Sequence, residues 1–448
     1  MLTEQDRSDI RHLSTAIHHQ AAGFITSEKA ILRANDQLRT EFRLDVIGLE
    51  DFASMGEIDA VPKPKNLTVR TTIGRTQVDS LKPEEEPEVR SFLNSISIPS
   101  EFLEDSLSKD TLEGPRQRLV ARIDGEVVGF GSWDSVIGPR KTKEIFVCGN
   151  EEHPSLREIV DYLIDLAAKE LSSSGPILLH LQDLAGRPLT RQVALSQGFR
   201  TTSTAHGSVR GLQKIAIGQP VFSDNWTSIC NDLDRVTGVK LPETPPDLSN
   251  ADEVIRLVSA AGERLTLSIK ELESLLSPVL FLFSSRKAAI VPIRRPFADS
   301  LLGTSNQFSL LEQSEALLMH ERAFFCTPSA AKVMAPGTPL LFYESGKMKG
   351  RSSVVAVGRS VTSETILKTD IPTTLERRGV LDRVELDKIG KNQRLLATKF
   401  DNVMTLRKPV SLAKLRTLGC VDGTNLVTAR TISGSAFMDV IRAGNENG

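Results

Sequence analysis

Two groups of residues have the types and spacing to do chemistry. The first is basic. Arg294 and Arg295 close an apolar run, AAIVPIR, and Lys347, Lys349 and Arg351 crowd the segment KMKGR between two further β-prone runs. Cations at a strand end and a hairpin turn can reach phosphate oxygens, and Tyr343, in the apolar run LLFYESG before the turn, either offers a ring for base stacking or belongs to the core. The second group is a helix start. After the run TKEIFVC, the loop Cys148 to Ser155 leads into residues whose apolar members Leu156, Ile159, Val160, Leu163, Ile164, Leu166 and Ala167 recur every three or four positions. The first N–H groups of such a helix lack partners within it and carry the positive end of its dipole, so they form an anion site. Ser155 also fits an N-cap, with Glu158 as its capping-box partner.

Metal and disulfide chemistry find little to build on. His18 and His19 are neighbours that face different sides of a helix, and no cysteine or carboxylate completes a set with them and His12. Cys148, Cys230, Cys326 and Cys420 are scattered without C-x-x-C spacing, so they read as small buried residues and no metal is expected. The chain has no run of about 18 uncharged apolar residues and begins MLTEQDRSDIRHL, charged at once, so a membrane partner is not expected and the location reads as cytoplasmic.

The elements that must position these residues follow from periodicity and breakers. Residues 1–60 carry helical spacing, and Val61 to Lys65, alternating proline and lysine, is a stiff linker. From Asn66 the order is strand LTVRTTI, helices EPEVRSFLNSI and PSEFLEDSL, strand RQRLVARID, then EVVGFGSWDSVI and TKEIFVC as a hairpin around Gly138-Pro139-Arg140. The long helix, strand ILLHLQ, helix RPLTRQVALSQG and strands FRTTSTAHGSV and LQKIAI complete this part. A bridge at 219–279 holds the helix-like NWTSICNDLDRV, a proline cluster at Pro242, Pro245 and Pro246, a hairpin and the helix KELESLL. From about 280 come strand AAIVPIR, helix RPFADSLLG, a charged helix around LLEQSEALLMH, and strands RAFFCT, PLLFYESG and SSVVAVGRSVTSETI. The fold class is α/β (α+β): a mixed sheet with flanking helices, followed by a small barrel.

Residues 66–218 resemble the GNAT acyltransferase family. The resemblance rests on element order, on IDGEVVGFGSW before the TKEIFVC strand, and on ALSQGF, which looks like the family's short helix ending in Gly-Phe. It implies acetyl-CoA as acyl donor. Val147 and Gly149 would offer main-chain hydrogen bonds to the pantetheine arm, and Ser155, Leu156 and Arg157 would face its phosphates. Glu144 would be the general base for the attacking amine. No tyrosine lies between Arg187 and Phe199, where many members place the acid for the leaving thiolate, and His180 and His206 are the substitutes. The family's glycine-rich phosphate loop is replaced by Cys148-Gly-Asn-Glu-Glu-His-Pro-Ser155, whose two acids oppose a pyrophosphate. Binding in the tens of micromolar or poorer is expected.

Residues 280–448 resemble the PUA-like superfamily, nearest its EVE and ASCH branches, through Ile293 to Ala298, the Pro-Gly-x-Pro at 336–339, LLFYESG, GRSSVVAVGRS and PVSLAKLRTLG. Members are small barrels that bind RNA or modified bases. Charge points the same way. From Arg286 onward there are 24 Lys+Arg against 15 Asp+Glu, a balance of +9 in a chain of net −2, which leaves −11 for the rest. The combined expectation is an acyl-CoA-dependent N-acyltransferase acting on a nucleic-acid-linked amine, an aminoacyl-tRNA first, with RNA or DNA bound by Arg294, Arg295, Tyr343, Lys347, Lys349 and Arg351. The alternative is a GNAT-fold scaffold without catalysis, joined to a reader of RNA or modified DNA.

Overall fold

The computed structural model describes residues 4–19, 24–42, 44, 46–48, 76–108, 110–111, 114–134, 142–182, 184, 187–202, 211–246, 249, 251–303, 314–346, 350–390, 392–421 and 426–445. The expected strand LTVRTTI, the turn at Gly138 to Arg140, and His206, Lys347 and Lys349 lie outside them. The chain divides into two compact units, one of Arg70–Arg286 with Ser305–Arg322, the other of Met1–Val69, Lys287–Thr304 and Ala323–Gly448. This division differs from boundaries drawn at 218 and 280. The stretch 219–279 packs within the first unit, 305–322 joins it as well, and the N-terminal helices share a unit with the C-terminal strands.

The first unit is built on an eight-stranded sheet. Its elements are β1 (Thr76–Ser80), α1 (Glu86–Ser95), α2 (Ser100–Leu107), β2 (Gly114–Ile123), β3 (Glu126–Asp134), β4 (Thr142–Gly149), α3 (Leu156–Leu171), β5 (Ile177–Gln182), α4 (Pro188–Ser196), β6 (Arg200–Thr202) and β7 (Gly211–Ala216). Strand order along the sheet is β1-β2-β3-β4-β5-β7-β6, with Asp110–Thr111 paired to β2 off that path. Only β4 and β5 among these pair in parallel, as a crossover through α3 requires.

Alternation along the strands divides the core. Ile145, Val147, Leu179 and Leu181 meet Leu156, Ile159, Val160 and Leu163 of α3 on one face, whereas Phe146, Cys148, Phe130 and Val120 meet Val89, Leu93, Leu103 and Leu107 of α1 and α2 on the other. Each fully buried aliphatic side chain of α3 contributes about 2 kcal/mol through area removed from water. Gly149 permits the close approach of α3: a Cβ there would stand 2.1 Å from Leu156 Cδ1. Leu318, from the 3₁₀ turn Glu315–Leu318, inserts into the α3 side of this core. That single turn is what is described of the charged helix expected around residues 310–320.

The second unit carries a six-stranded sheet of β8 (Ala288–Ile293), β9 (Arg322–Cys326), β10 (Pro339–Glu344), β11 (Ser353–Leu367), β12 (Arg394–Ser411) and β13 (Arg430–Ile432), in the order β9-β12-β11-β10-β8-β13. Helix α5 (Arg295–Leu302) follows β8 and ends on Gly303 at φ 71°, and α6 (Leu412–Thr417) follows β12 with Ser411 as its N-cap. Among the described residues the strand path is open from β9 to β13, so no pairing closes the expected barrel. In the long β11–β12 hairpin, Arg359 and Asp401 face each other in register and join through two buried hydrogen bonds. The fold is thus α/β, with mixed sheets and flanking helices.

Candidate functional site

In the first unit the chemistry gathers where β4 and β5 part. Their parallel pairing runs from Thr142↔Leu178 to Ile145↔Leu181, while β4 continues on β3 through Phe146↔Ser132, Val147↔Gly131, Cys148↔Phe130 and Gly149↔Gly129. Past Ile145, therefore, the main-chain edge of β4 that faced β5 has no strand partner among the described residues. Val147 and Gly149 lie on this stretch. The side chain of Val147 is buried in the core, and the Gly149 carbonyl accepts a hydrogen bond from Arg187 Nη1 at 3.0 Å.

Glu144 and His180 are Cα partners on the last paired rungs. The Glu144 side chain is 60% exposed, accepts a hydrogen bond from Gln182 Nε2 at 3.1 Å, and has one oxygen 3.7 Å from His180 Nδ1. That last distance is too long for a hydrogen bond, and the two groups form an ion pair only when the imidazole is protonated. His180, with Gln182 and Arg116 assisting, holds the Glu144 carboxyl below the usual carboxylate range against the opposing effect of its partial burial. The imidazole itself lies over Gly211, where a Cβ would stand 1.8 Å from Nε2. Any side chain at that position would evict the ring. Arg116 sits on the same sheet face and is shared between Asp105 and Asp134.

At the start of α3 the expected residues take different parts. Ser155 makes no side-chain cap, so the capping box with Glu158 is not formed. The loop is instead held by its own turn: Ser155 N–H donates to His153 Nδ1 at 3.2 Å and Leu156 N–H to the His153 carbonyl at 3.0 Å. Leu156 is buried beneath the helix, and Arg157 points out, its Nη1 3.4 Å from Gln192 Oε1 on α4.

Glu151 does not face the expected phosphate position. Its carboxylate accepts from Leu189 N–H at 3.0 Å and from the Thr190 hydroxyl at 3.2 Å, and so caps α4, while Glu152 is exposed. Cys148 is buried, and burial pushes its thiol up to about 12, so it stays neutral. The arrangement thus combines a parted strand pair, two guanidinium groups and a carboxylate–imidazole pair. Such a set can hold a phosphate-bearing ligand and move a proton. Arg187 was the residue that sequence reasoning missed, since an arginine before Pro188 carries no signal of the carbonyl it binds.

In the second unit, strand pairing gathers the basic residues. Ile293 pairs with Glu344, Glu344 with Ser353, and Ser345 N–H donates to the Ile293 carbonyl at 2.9 Å. Arg294, Arg295 and Arg351 therefore share one end of the sheet. Arg295 is 3.8 Å from Asp299, and Arg351 lies over the buried Glu344, which accepts its backbone N–H at 2.7 Å. Tyr343 has a different role from the one expected. It is 2% exposed, so its ring belongs to the core and offers no base-stacking platform; burial raises its phenol pKa. The physical reason is that the strand is buried on both faces, so none of its side chains points to solvent.

Sequence reasoning also missed a second basic group. The β11–β12 register jumps from Val354↔Val410 to Ala356↔Thr405, and the extra residues of β12 put Arg407 and Lys408 out in solvent. Lys414 and Arg416 are exposed on α6, which is joined to the same turn by Leu412 N–H donating to the Ser352 carbonyl at 2.9 Å.

Among the described residues no group of three or more His, Cys, Asp or Glu is placed to hold a metal ion, and no helix is long and apolar enough to cross a membrane. No family model matches the chain, and no curated protein matches it. Solved structures similar to parts of it include both ASCH and GNAT domains. ASCH from Zymomonas mobilis is 10% identical over 34% of this chain and 93% of its own, with a TM-score of 0.27. The GNAT domain of S. lividans PAT is 15% identical over 34% and 99%, with a TM-score of 0.27. The PaiA N-acetyltransferase from Thermoplasma acidophilum, in complex with coenzyme A, is 15% identical over 31% and 98%, with a TM-score of 0.25.

Proposed function

We propose that the eight-stranded unit is an acyl-CoA-dependent N-acyltransferase and that the six-stranded unit binds the nucleic acid carrying its amine substrate. The observation that carries this reading is the parting of β4 from β5 after Ile145↔Leu181, with Glu144 and His180 at its foot and Arg187 and Arg157 at its mouth. The acyl donor, when bound, supplies an activated carbonyl. Arg187 and the side chain and amide of Arg157 would hold its phosphates, and the unpaired edge of β4 beyond Ile145 would bind its arm and offer N–H groups to a developing oxyanion. Histidine is the side chain most often used as general base. A carboxylate held below its ordinary range is a weak base, so His180, in its neutral form, takes the proton from the attacking amine, and Glu144 balances the imidazolium charge that then forms.

Nucleic acid enters through Arg351, Arg407, Lys408, Lys414 and Arg416, an exposed or half-exposed basic group at one end of the second sheet. An aminoacyl-tRNA is the substrate class to test first. The decisive measurement is a calorimetric titration of the full chain with acetyl-CoA. Micromolar binding that weakens in Arg187→Ala supports the catalytic reading; no heat at millimolar ligand overturns it. One observation favours the second reading, a GNAT-fold scaffold beside a reader of RNA or modified DNA. Arg187 already bonds the Gly149 carbonyl, on the edge that a pantetheine arm would use. That reading expects nucleic-acid binding with no acetyl-CoA binding in wild type or variant.

A further inference from the structure

Strands β8 and β13 pair from Ala288↔Ile432 only as far as Ile290↔Arg430. Beyond that rung Val291 to Ile293 and residues 427–429 both line a cavity of about 490 Å³, walled also by α5, β9, the 380–390 segment and part of the N-terminal region. All of these belong to the six-stranded unit. The volume lies in the range of small-molecule sites.

Most of the wall is apolar, with Val291 and Ile293 from β8, Phe297 from α5 and Phe325 from β9. Leu32, Phe297, Phe324 and Leu381 are large apolar side chains left only half-buried, and all four line this one cavity. Single exposed apolar residues are ordinary; a group of them around one concavity marks a surface that a ligand covers.

The polar groups of the wall are already engaged. Arg294 and Glu385 are the charged residues of the lining. Glu385 accepts from Lys388 Nζ at 2.8 Å, and Arg294 has an interaction of its own within the protein. Asn35 Oδ1 accepts from Val46 N–H at 2.8 Å, and the Thr327 and Ser329 hydroxyls pair with each other at 2.9 Å. A charged ligand would therefore leave water for a wall whose charges are committed elsewhere. Water itself finds few partners on an apolar wall, and such cavities take up apolar ligands.

We propose that this cavity is a binding site for a neutral, apolar, ring-bearing small molecule, held by shape and by covering the half-buried side chains, with no contribution from charge. The site lies in the six-stranded unit and stands whether or not the other unit is catalytic.

The test is a fluorescence titration of the full-length protein with N-phenyl-1-naphthylamine, which is neutral, and with 8-anilinonaphthalene-1-sulfonate, the same body carrying one anionic group. The neutral probe should fill one saturable site, and the sulfonate should displace it at least about tenfold less effectively than unlabelled 1-methylnaphthalene does. Val427→Trp, at a position 37% exposed on the wall, and independently Leu32→Trp should each weaken the neutral probe about tenfold or more with an unchanged melting temperature. Absence of saturable binding to wild type would overturn the site. Displacement by the sulfonate or by a mononucleotide as effective as by the neutral ligand would overturn the ligand class, and neither measurement needs a variant to fold. Wild-type affinity in either folded variant would overturn the location.

Discussion

His320 Nδ1 lies 3.0 Å from Asp165 Oδ1, and the backbone N–H of the same histidine donates to Asp161 Oδ2 at 2.6 Å. Residues 155 and 159 positions apart in the chain are thereby joined on α3, with Leu318 in the adjacent core and Arg322 donating to the Met319 carbonyl. The two carboxylates respond to this burial in opposite ways. Burial pushes Asp165 up, but Lys169 and His320 overcome it, so Asp165 lies well below the ordinary range. Burial pushes Asp161 up too, and there His320 and Gln197 offset only part of the rise.

The two residues should therefore give opposite pH dependence. Asp165 contributes stability that is present above its unfolded pKa of about 3.9 and lost as pH falls through its lowered folded value. Asp161 contributes below that unfolded pKa and loses the contribution as pH rises through its raised folded value. At neutral pH, Asp165→Asn should cost about 3 kcal/mol, since it leaves buried cationic partners uncompensated, and the cost should shrink in acid. Asp161→Asn keeps an acceptor for His320 N–H and should melt at or above wild type at pH 7. Melting curves from about pH 3 to 8 would reject this account if Asp161→Asn proved the more damaging of the two.

Proton transfer through His180 makes a separate prediction. His180→Gln should lower acyl transfer by about 10² to 10⁴, with acetyl-CoA affinity nearly unchanged. Glu144→Gln retains a hydrogen-bonding group and removes the charge that balances the imidazolium, so it should slow the reaction by less than His180→Gln does. Equal rates for wild type and both variants would remove the pair from the chemistry.

The acids of the loop should separate. Glu151→Gln exchanges a charged helix cap for a neutral one and should destabilise the protein by about 1 kcal/mol without improving coenzyme affinity. Glu152→Gln, at an exposed side chain, should leave stability alone and tighten acetyl-CoA by removing repulsion. Sequence reasoning assigned both acids the same role; a calorimetric titration of each variant beside its melting curve decides.

For the basic face, each of Arg407→Ala, Lys408→Ala and Lys414→Ala should lower the slope of log affinity against log salt by roughly 0.7 to 0.9 on RNA or DNA. Tyr343→Ala should instead unfold, costing about 3 kcal/mol or more as a large buried side chain is removed. A Tyr343→Ala protein of normal melting temperature and lost binding would restore the stacking role.

What was legible in the sequence follows physical rules. Strands β2 to β5 and helix α3 were visible because alternation and a three-to-four spacing declare which face is buried. Glu144 could be placed on its strand, but its pairing with His180 could not, because parallel register depends on a crossover helix whose packing no local pattern encodes. Tyr343 could be read either as a stacking ring or as core, because a strand buried on both faces does not alternate and so gives no local sign of which side faces solvent. The β12 bulge that exposes Arg407 and Lys408 was invisible for a related reason: an extra residue shows only against the partner strand.

The order in which the units assemble has a consequence for how this protein must be made. The chain enters one unit with residues 1–69, leaves for 70–286, returns for 287–304, leaves again for 305–322 and returns for 323–448. On a ribosome the N-terminal residues wait for partners synthesised hundreds of codons later, and the unit holding α3 receives Leu318 only after the other unit's first two stretches, 1–69 and 287–304, have been made. Neither unit is a contiguous gene fragment. A frameshift or nonsense codon after residue 322 would leave the first unit covalently complete and the second without most of its sheet. Degradation of such products should therefore start from the second unit, and a nascent-chain protease assay would show protection of 70–286 before that of 1–69.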